Sequence, residues 1–464
     1  MGGEDIQPSS AEHMCVLVHG LWGHPGHLAY LSQALREKHN EESLYILAAK
    51  SNTNNYTYDG IEVGGERVAR EIEDTLESLA AKGQNIKKLS LVGYSLGGLV
   101  GRYAIGLLDS RGWFDKIEPV NFTAIASPFL GVRTPVKSVH LWNVLGSRVL
   151  SMSGRQLFMI DTFRDTGKPL LSVLATPGSI FMHALAKFKH RSLYANIVND
   201  RTAVYYTTGV SRIDPFVDTD KIRINYVKGY EPNVLDLDFP LLPPEETEPL
   251  NFQQRVSLRA KRLLSKLPLY TLVATLLPLA ATIFLINSGI QSVRSQQRRN
   301  LHEKGPSAKY RVPLLVQSIQ HTVEDALESA QGTQEPEYLS NDKKEAAGQT
   351  DPESLQLKQT RSKRQRLIDT EQGSPRQPDS EYEDSSSTSF LPKEGKLPEF
   401  PTLALTQAQF DMIDALDAVG FRKYGAHIHK DMHSHAAIVV RIQRQRFDEG
   451  KVVIKHWLEN EFEI

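Results

Sequence analysis

A mainly parallel α/β sheet with helices on both faces is the fold class this sequence predicts, and two observations carry it. Short apolar runs alternate with amphipathic helical stretches from His13 onward. Lys88 to Arg102 then reads as a strand, a sharp turn and a helix. Leu89 to Val92 suit a buried parallel strand, and Leu99, Val100, Tyr103, Ala104 and Leu107 give the next stretch one apolar face. Between them stands Gly93-Tyr94-Ser95-Leu96-Gly97. Five residues of this type alone mark any glycine-rich turn, but a buried strand before them and an apolar helix after them make a nucleophile elbow. Its glycines let strand and helix approach closely, while the serine takes a strained backbone conformation that holds its hydroxyl at the apex. Ser95 is therefore the candidate nucleophile.

Taken in order, His13 to Val18 is a short buried strand running into His19-Gly20-Leu21-Trp22-Gly23-His24. A glycine turn after an early strand supplies one oxyanion N–H in proteins built around such an elbow, and the residue after the nucleophile supplies the other. Those amides belong to Leu21 and Leu96, whose side chains matter little to the role. Tyr30, Leu31 and Leu35 suggest a helix, Leu44 to Ala49 a strand, and Ser51 to Asn55 a polar loop. From Gly65 to Lys82, Val68, Ile72, Leu76 and Leu79 recur at helical spacing, and Gly83 is placed to end that helix. After the elbow helix, Asn121 to Ala126 forms a strand ending in Ser127-Pro128-Phe129-Leu130-Gly131. Residues 135–185 are helical and apolar without clean alternation, the pattern of a cap over Ser95 or of ordinary packing helices.

Arg191 to Val198 reads as a strand followed at once by Asn199-Asp200. An acid that follows the serine in the chain and leaves a strand at the carboxyl edge of the sheet fits the order Ser, acid, His, so Asp200 is the candidate acid. Asp161 and Asp165 are its competitors, in helical or loop contexts. Val227 to Asn251 is rich in proline and acid, as a surface loop or linker is. Leu267 to Ile286 then offers 20 residues without a charge, flanked by Arg255, Arg259, Lys261, Arg262 and Lys266 on one side and Arg294, Arg298 and Arg299 on the other. That length meets the requirement for membrane association. Pro268 and Pro278 interrupt it, and a single crossing would separate Ser95 from any later histidine, so the expectation is a hairpin in one leaflet.

Val312 to Leu327 has amphipathic helical spacing, whereas residues 331–397 are dominated by Gln, Glu, Lys, Ser, Asp and Pro and read as a disordered linker. The basic run from Thr360 to Arg366 reads as a solvated charge cluster. Order returns near Leu403, with a helix over Ala408 to Val419, a stop at Gly420, a strand from Phe421 to Ile428 and a last helix starting at Ala436. His427, His429, His433 and His435 crowd the end of that strand. They could hold a metal, but no acid or cysteine cluster accompanies them. A catalytic histidine belongs in the loop after the last strand, where His435 fits best and His433 is its rival.

The organisation expected is thus a core over 1–240 with a cap at about 135–185, a membrane-associating insertion over 241–330, a linker over 331–397, and a completion of the core over 398–464. Composition excludes several classes. With 54 Lys plus Arg against 55 Asp plus Glu in 464 residues, no overall field favours nucleic acid. The single cysteine, Cys15, rules out an intrachain disulfide framework and fits a reducing compartment. The opening MGGEDIQPSS has neither a basic nor an apolar stretch, so no secretory signal is expected.

Taken together, His19 to Gly23, Gly93 to Gly98, Ala126 to Gly131, Tyr194-Ala195-Asn196 with Asn199-Asp200, and His433 to Ala437 resemble the fungal putative serine esterase/lipase family. That resemblance implies the α/β-hydrolase fold and hydrolysis of glycerophospholipid esters at lipid droplets or the endoplasmic reticulum membrane. Ser95, Asp200 and His435 would form the triad and no cofactor would be needed. A neutral-lipid or protein-acyl esterase would use the same site. A non-catalytic membrane tether would fit the long polar linker.

Overall fold

The computed structural model describes residues 11–132, 151–217, 219, 222–242, 289–290, 292–302 and 400–464. The first part of the expected cap, the apolar segment 267–286, the amphipathic stretch 312–327 and the linker 331–397 lie outside the described residues.

The chain alternates as its pattern requires. Strand β1 (His13–Val18) is followed by helix α1 (Ala29–Lys38), β2 (Leu44–Ala48), α2 (Ile61–Ala81), β3 (Lys88–Tyr94), α3 (Leu96–Ser110) and β4 (Glu118–Ile125). Then come α4 (Ser151–Leu157), α5 (Leu170–Leu174), α6 (Ile180–Lys187), β5 (His190–Asn196), α7 (Tyr205–Thr208), β6 (Arg223–Ile224), β7 (Val234–Asp236) and β8 (Leu241–Leu242). The C-terminal part adds α8 (Gln407–Val419), β9 (Arg422–Ala426), α9 (Ser434–Ala437) and α10 (Asp448–Asn460). A seven-stranded sheet runs β2-β1-β3-β4-β5-β9-β7, parallel throughout except for β7. Its period of two is visible in β1, where Met14, Val16 and Val18 enter the core beneath α2, α3 and α6, and Cys15 and Leu17 enter the opposite core beneath α1 and α10.

Several elements depart from the sequence reading. The region from Val227 to Asn251 is not all linker: Val234 and Leu235 are buried in β7, which closes the sheet antiparallel to β9, and β8 pairs with β6. Strands of two or three residues among prolines and acids are too short to display a period. The core thus continues past residue 240. Residues 170–187 join the helix layer and do not cap the site. Phe181 of α6 occupies the space that a side chain at Gly106 of α3 would need, and Arg102 Nη2 donates to Leu174 O. Helices of five and eight residues are too short to set up a readable period, and in α6 only His183 and Lys187 mark the outer face. Helix α2 begins at Ile61, four residues ahead of the Gly65 expected, and β9 stops at Ala426, leaving His427 outside it. At the C-terminus the helix expected from Ala436 is the single turn α9, and the last long helix is α10.

Helical residues 289–290 and 292–302 include side chains that pack on the turn Asn54–Asp59. Arg298 donates to both Asp59 carboxylate oxygens (2.7 to 3.1 Å) and to Asn55 O, and Ser295 Oγ donates to Tyr58 O. Asp59 has no exposed side-chain surface and is also paired with Arg67 at 2.8 Å. A buried carboxylate is tolerated because two guanidinium groups flank it.

Candidate active site

The geometry starts from the end of β3. Ser95 stands between β3 and α3 with φ 56° and ψ −128°, a left-handed backbone rare for a residue with a side chain and costing on the order of 1 to 3 kcal/mol. The surrounding packing leaves it no alternative. Its amide donates to Ile125 O at 2.9 Å, and Gly97 lies so close to β1 that a Cβ there would stand 2.1 Å from Val18 O. The glycine at the second flanking position is thus a steric demand of strand and helix packing.

Asp200 follows β5 after Asn199, whose own φ is 61°. One carboxylate oxygen accepts from the Thr202 and Ala203 amides at 3.0 and 2.8 Å, and the other from Asn196 Nδ2 at 2.9 Å. That second oxygen also meets His435 Nδ1 at 2.8 Å, and His435 Nε2 lies 2.9 Å from Ser95 Oγ. Burial alone would raise the Asp200 pKa. The neighbouring His435 and the hydrogen bonds from Ala203 and Asn196 outweigh it and hold the carboxyl below its usual range. An ionised Asp200 accepts from Nδ1–H, which leaves Nε2 free to take the proton of Ser95. The structure therefore brings Ser95, His435 and Asp200 into one hydrogen-bonded line at the carboxyl edge of the sheet.

Helix α9 is held in place for this. Tyr94 OH donates to His435 O at 2.8 Å, its ring lies 5.2 Å from the imidazole, and Ser434 Oγ donates to Val198 O at 2.8 Å. Tyr94, Ser434 and Asn196 are supports that sequence reasoning missed. Each carried a signal only by its place in a motif, Tyr94 inside the elbow, Asn196 ahead of Asn199-Asp200 and Ser434 beside His435. The rival residues are elsewhere. His433 is exposed just ahead of α9, its amide donating to Asp431. Asp161 accepts from the Leu170 amide at the start of α5 and so caps a helix, and Asp165 is exposed in a turn. The other histidines of the cluster disperse, His427 to Tyr226 OH at 2.6 Å and His429 to Glu449 at 3.0 Å. Among the described residues no three His, Cys, Asp or Glu side chains are grouped as metal ligands.

The turn after β1 touches the serine: a Cβ at Gly20 would lie 2.7 Å from Ser95 Cβ and 3.2 Å from its Oγ. Leu21 is half-buried in that turn. Leu96 opens α3, where the first amides have no intrahelical acceptor. The next turn braces this one, the Trp22 amide donating to Thr57 Oγ1 at 3.0 Å and Asn54 N to Gly23 O at 2.8 Å. Such a set can attack an ester carbonyl, shuttle the proton and stabilise the oxyanion with two amides.

Residues 8–213 match the family described as "Putative serine esterase (DUF676)". The match takes in Ser95 and Asp200 and stops before His435. "Putative lipase ROG1" of Saccharomyces cerevisiae is 30% identical over 213 residues, 45% of this chain and 30% of that protein. "Putative lipase C4A8.10" of Schizosaccharomyces pombe is 26% identical over 233 residues, 48% of this chain and 29% of that protein. The chain spans about a third of the length of the curated relatives it matches. Among solved structures, phospholipase PlaB from Legionella pneumophila in complex with thio-NAD is 16% identical with a TM-score of 0.27, covering 42% of this chain and 40% of its own. An extracellular α/β-hydrolase from a Paenibacillus species is 18% identical with a TM-score of 0.18, covering 27% of this chain and 44% of its own. The α/β-hydrolase fold of this chain rests on its own strand order and elbow.

Proposed function

With residues 8–213 matching a family described as putative serine esterases, we propose that the chain is a serine hydrolase that cleaves fatty-acyl esters of glycerophospholipids. The observation that carries this reading is the line Ser95 Oγ, His435 Nε2, His435 Nδ1, Asp200 Oδ2, with the serine on a strained elbow. His435 takes the Ser95 proton as Oγ attacks the acyl carbonyl. The tetrahedral oxyanion rests on the Leu21 and Leu96 amides, and His435 returns the proton to the departing alcohol. Water, activated by the same imidazole, then releases the fatty acid from Ser95. Asp200 stays ionised throughout and stabilises the imidazolium.

The preference for acyl esters of lipids draws on the curated relatives, each named "Putative lipase". The choice of phospholipid, and of the lipid droplet surface or cytosolic face of the endoplasmic reticulum as workplace, draws on the family resemblance and on the charge-free run from Leu267 to Ile286. The test compares phospholipid and triacylglycerol emulsions with wild type and Ser95→Ala. Fatty acid release from phospholipid that Ser95→Ala abolishes is the expected result. Release from triacylglycerol alone would move the chain to neutral lipids, and hydrolysis surviving in Ser95→Ala would end the proposal.

A further inference from the structure

Helical residues 289–290 and 292–302 present two faces. Ser295, Arg298 and His302, spaced three and four apart, turn toward the domain and meet Tyr58 O, Asp59 and Glu66, the last at 2.6 Å. About a third of a turn round the helix at 3.6 residues per turn, Ile290, Val293 and Leu301 form a second stripe. These three are 48%, 60% and 70% exposed, too much apolar surface for so short a helix without a partner. We propose that this stripe is a docking face for an anionic phospholipid surface and that the Arg298–Asp59 clamp holds the catalytic domain at a fixed attitude on it. The proposal rests on the lipid-ester reading above.

Charge selects the occupant. Residues 289–302 contain Arg294, Arg298, Arg299 and His302 and no carboxylate, the composition of a helix that lies in a negatively charged interface with its apolar side down. Arg298 is neutralised by Asp59, whereas Arg294 is exposed beside the stripe. Continuity with the site points the same way. Arg298 lies 5.2 Å over the Tyr56 ring, Tyr56 is 48% exposed, and the turn that carries it holds the amide of Trp22, itself 47% exposed beside Tyr58. Trp22 belongs to the turn that flanks Ser95. Two exposed aromatic rings of the kind that favour membrane interfaces, Tyr56 and Trp22, therefore stand between Arg298 of this helix and the turn that flanks Ser95. A second copy of the chain would meet these arginines with its own and be repelled.

The test uses the full chain. Cys15 is its sole cysteine and is fully buried, with burial pushing its thiol pKa up, so an introduced surface cysteine is labelled selectively. Ile290→Cys, Val293→Cys, Leu301→Cys and, as a control on another face, Gln296→Cys each receive an environment-sensitive fluorophore. They are mixed with vesicles of phosphatidylcholine alone or with phosphatidylserine, and flotation reports the bound fraction. The expected result is a blue shift with increased intensity at 290, 293 and 301 on phosphatidylserine vesicles and none at 296. Replacing Arg294 with Glu should weaken vesicle binding several-fold at low salt, by loss of an attraction and gain of a repulsion. Three unshifted probes on floated protein, or protein that does not float, would overturn the proposal. So would a shift that appears without vesicles and grows with protein concentration, which would give the stripe to a second copy. Hydrolysis of a soluble short-chain ester by every variant separates this outcome from the proposed chemistry: its absence in wild type would count against the hydrolase reading alone.

Discussion

Ser95 and His435 are separated by 340 residues in the chain and by 2.9 Å in space. Because a triad acts as a unit, Ser95→Ala is expected to cut ester hydrolysis by on the order of 10⁴ to 10⁶ while leaving stability little changed, since alanine keeps the Cβ that strains this backbone. Steady-state rates beside a thermal melt check both halves. Asp200→Asn should lose on the order of 10⁴ in kcat, since an amide cannot stabilise the imidazolium. Asp161→Asn is the informative partner. Its carboxylate accepts from the first amide of α5, a bond that an asparagine oxygen can also make, so activity should persist within a few-fold and stability should change by less than about 1 kcal/mol, and loss of activity here with Asp200→Asn active would reassign the acid. A third expectation concerns pH. Burial holds His13 and His456 down to about 4, so the folded chain stays unprotonated there while the unfolded chain takes up protons from about pH 6.5 downward. Stability is then lost as pH falls from about 6.5 to 4. Asp200 acts lower, because a depressed carboxyl gives its full contribution above the ordinary carboxylate value and loses it as pH falls from there through its own lowered value. Melting between pH 7 and 5 should show Tm falling, with a shallower fall in His456→Gln.

Elements differ in how plainly they could be read. The elbow was legible because its steric demand is written into five residues: Gly97 must lack a Cβ for α3 to reach β1, and the flanking apolar runs say which elements meet. The same locality explains Asp200, which sits at a strand end where its Asx contacts to Thr202 and Ala203 are formed. The choice of His435 over His433 needed more. Both fall in the loop after β9, and only the placement of α9 by Tyr94 and Ser434 separates them. Strand β7 left no trace in the pattern because three residues paired at one edge have no period. Helix α10 was missed although Val453, Ile454, Trp457 and Leu458 lie buried on one face of it. It packs hard against α9, where a Cβ at Gly450 would stand 1.8 Å from Ala437 O. Gly450→Ala must therefore push α9 and α10 apart. The expectation is a destabilisation of about 1 to 3 kcal/mol with a loss of kcat, because His435 rides on α9. Denaturant melts and kinetics on the same preparation would show whether both fall together.

At the scale of the whole molecule, the sheet is assembled from two stretches of chain. Residues 11–242 supply every strand but one, and β9 enters between β5 and β7, parallel to the first and antiparallel to the second. Residues 400–464 are thereby held along both edges of β9, through α10, whose apolar face enters the second core with Leu31 and Leu35 of α1, and at Glu463, whose backbone bonds Asn121. They also carry His435. None of those contacts asks that the two stretches be covalently joined. A gene cut within the intervening polar tract would thus encode two polypeptides of which neither owns a complete triad, and ester cleavage would appear only where both are made in one cell and find each other. The protein is in this sense a coincidence detector waiting to be split, its background set by the missing imidazole.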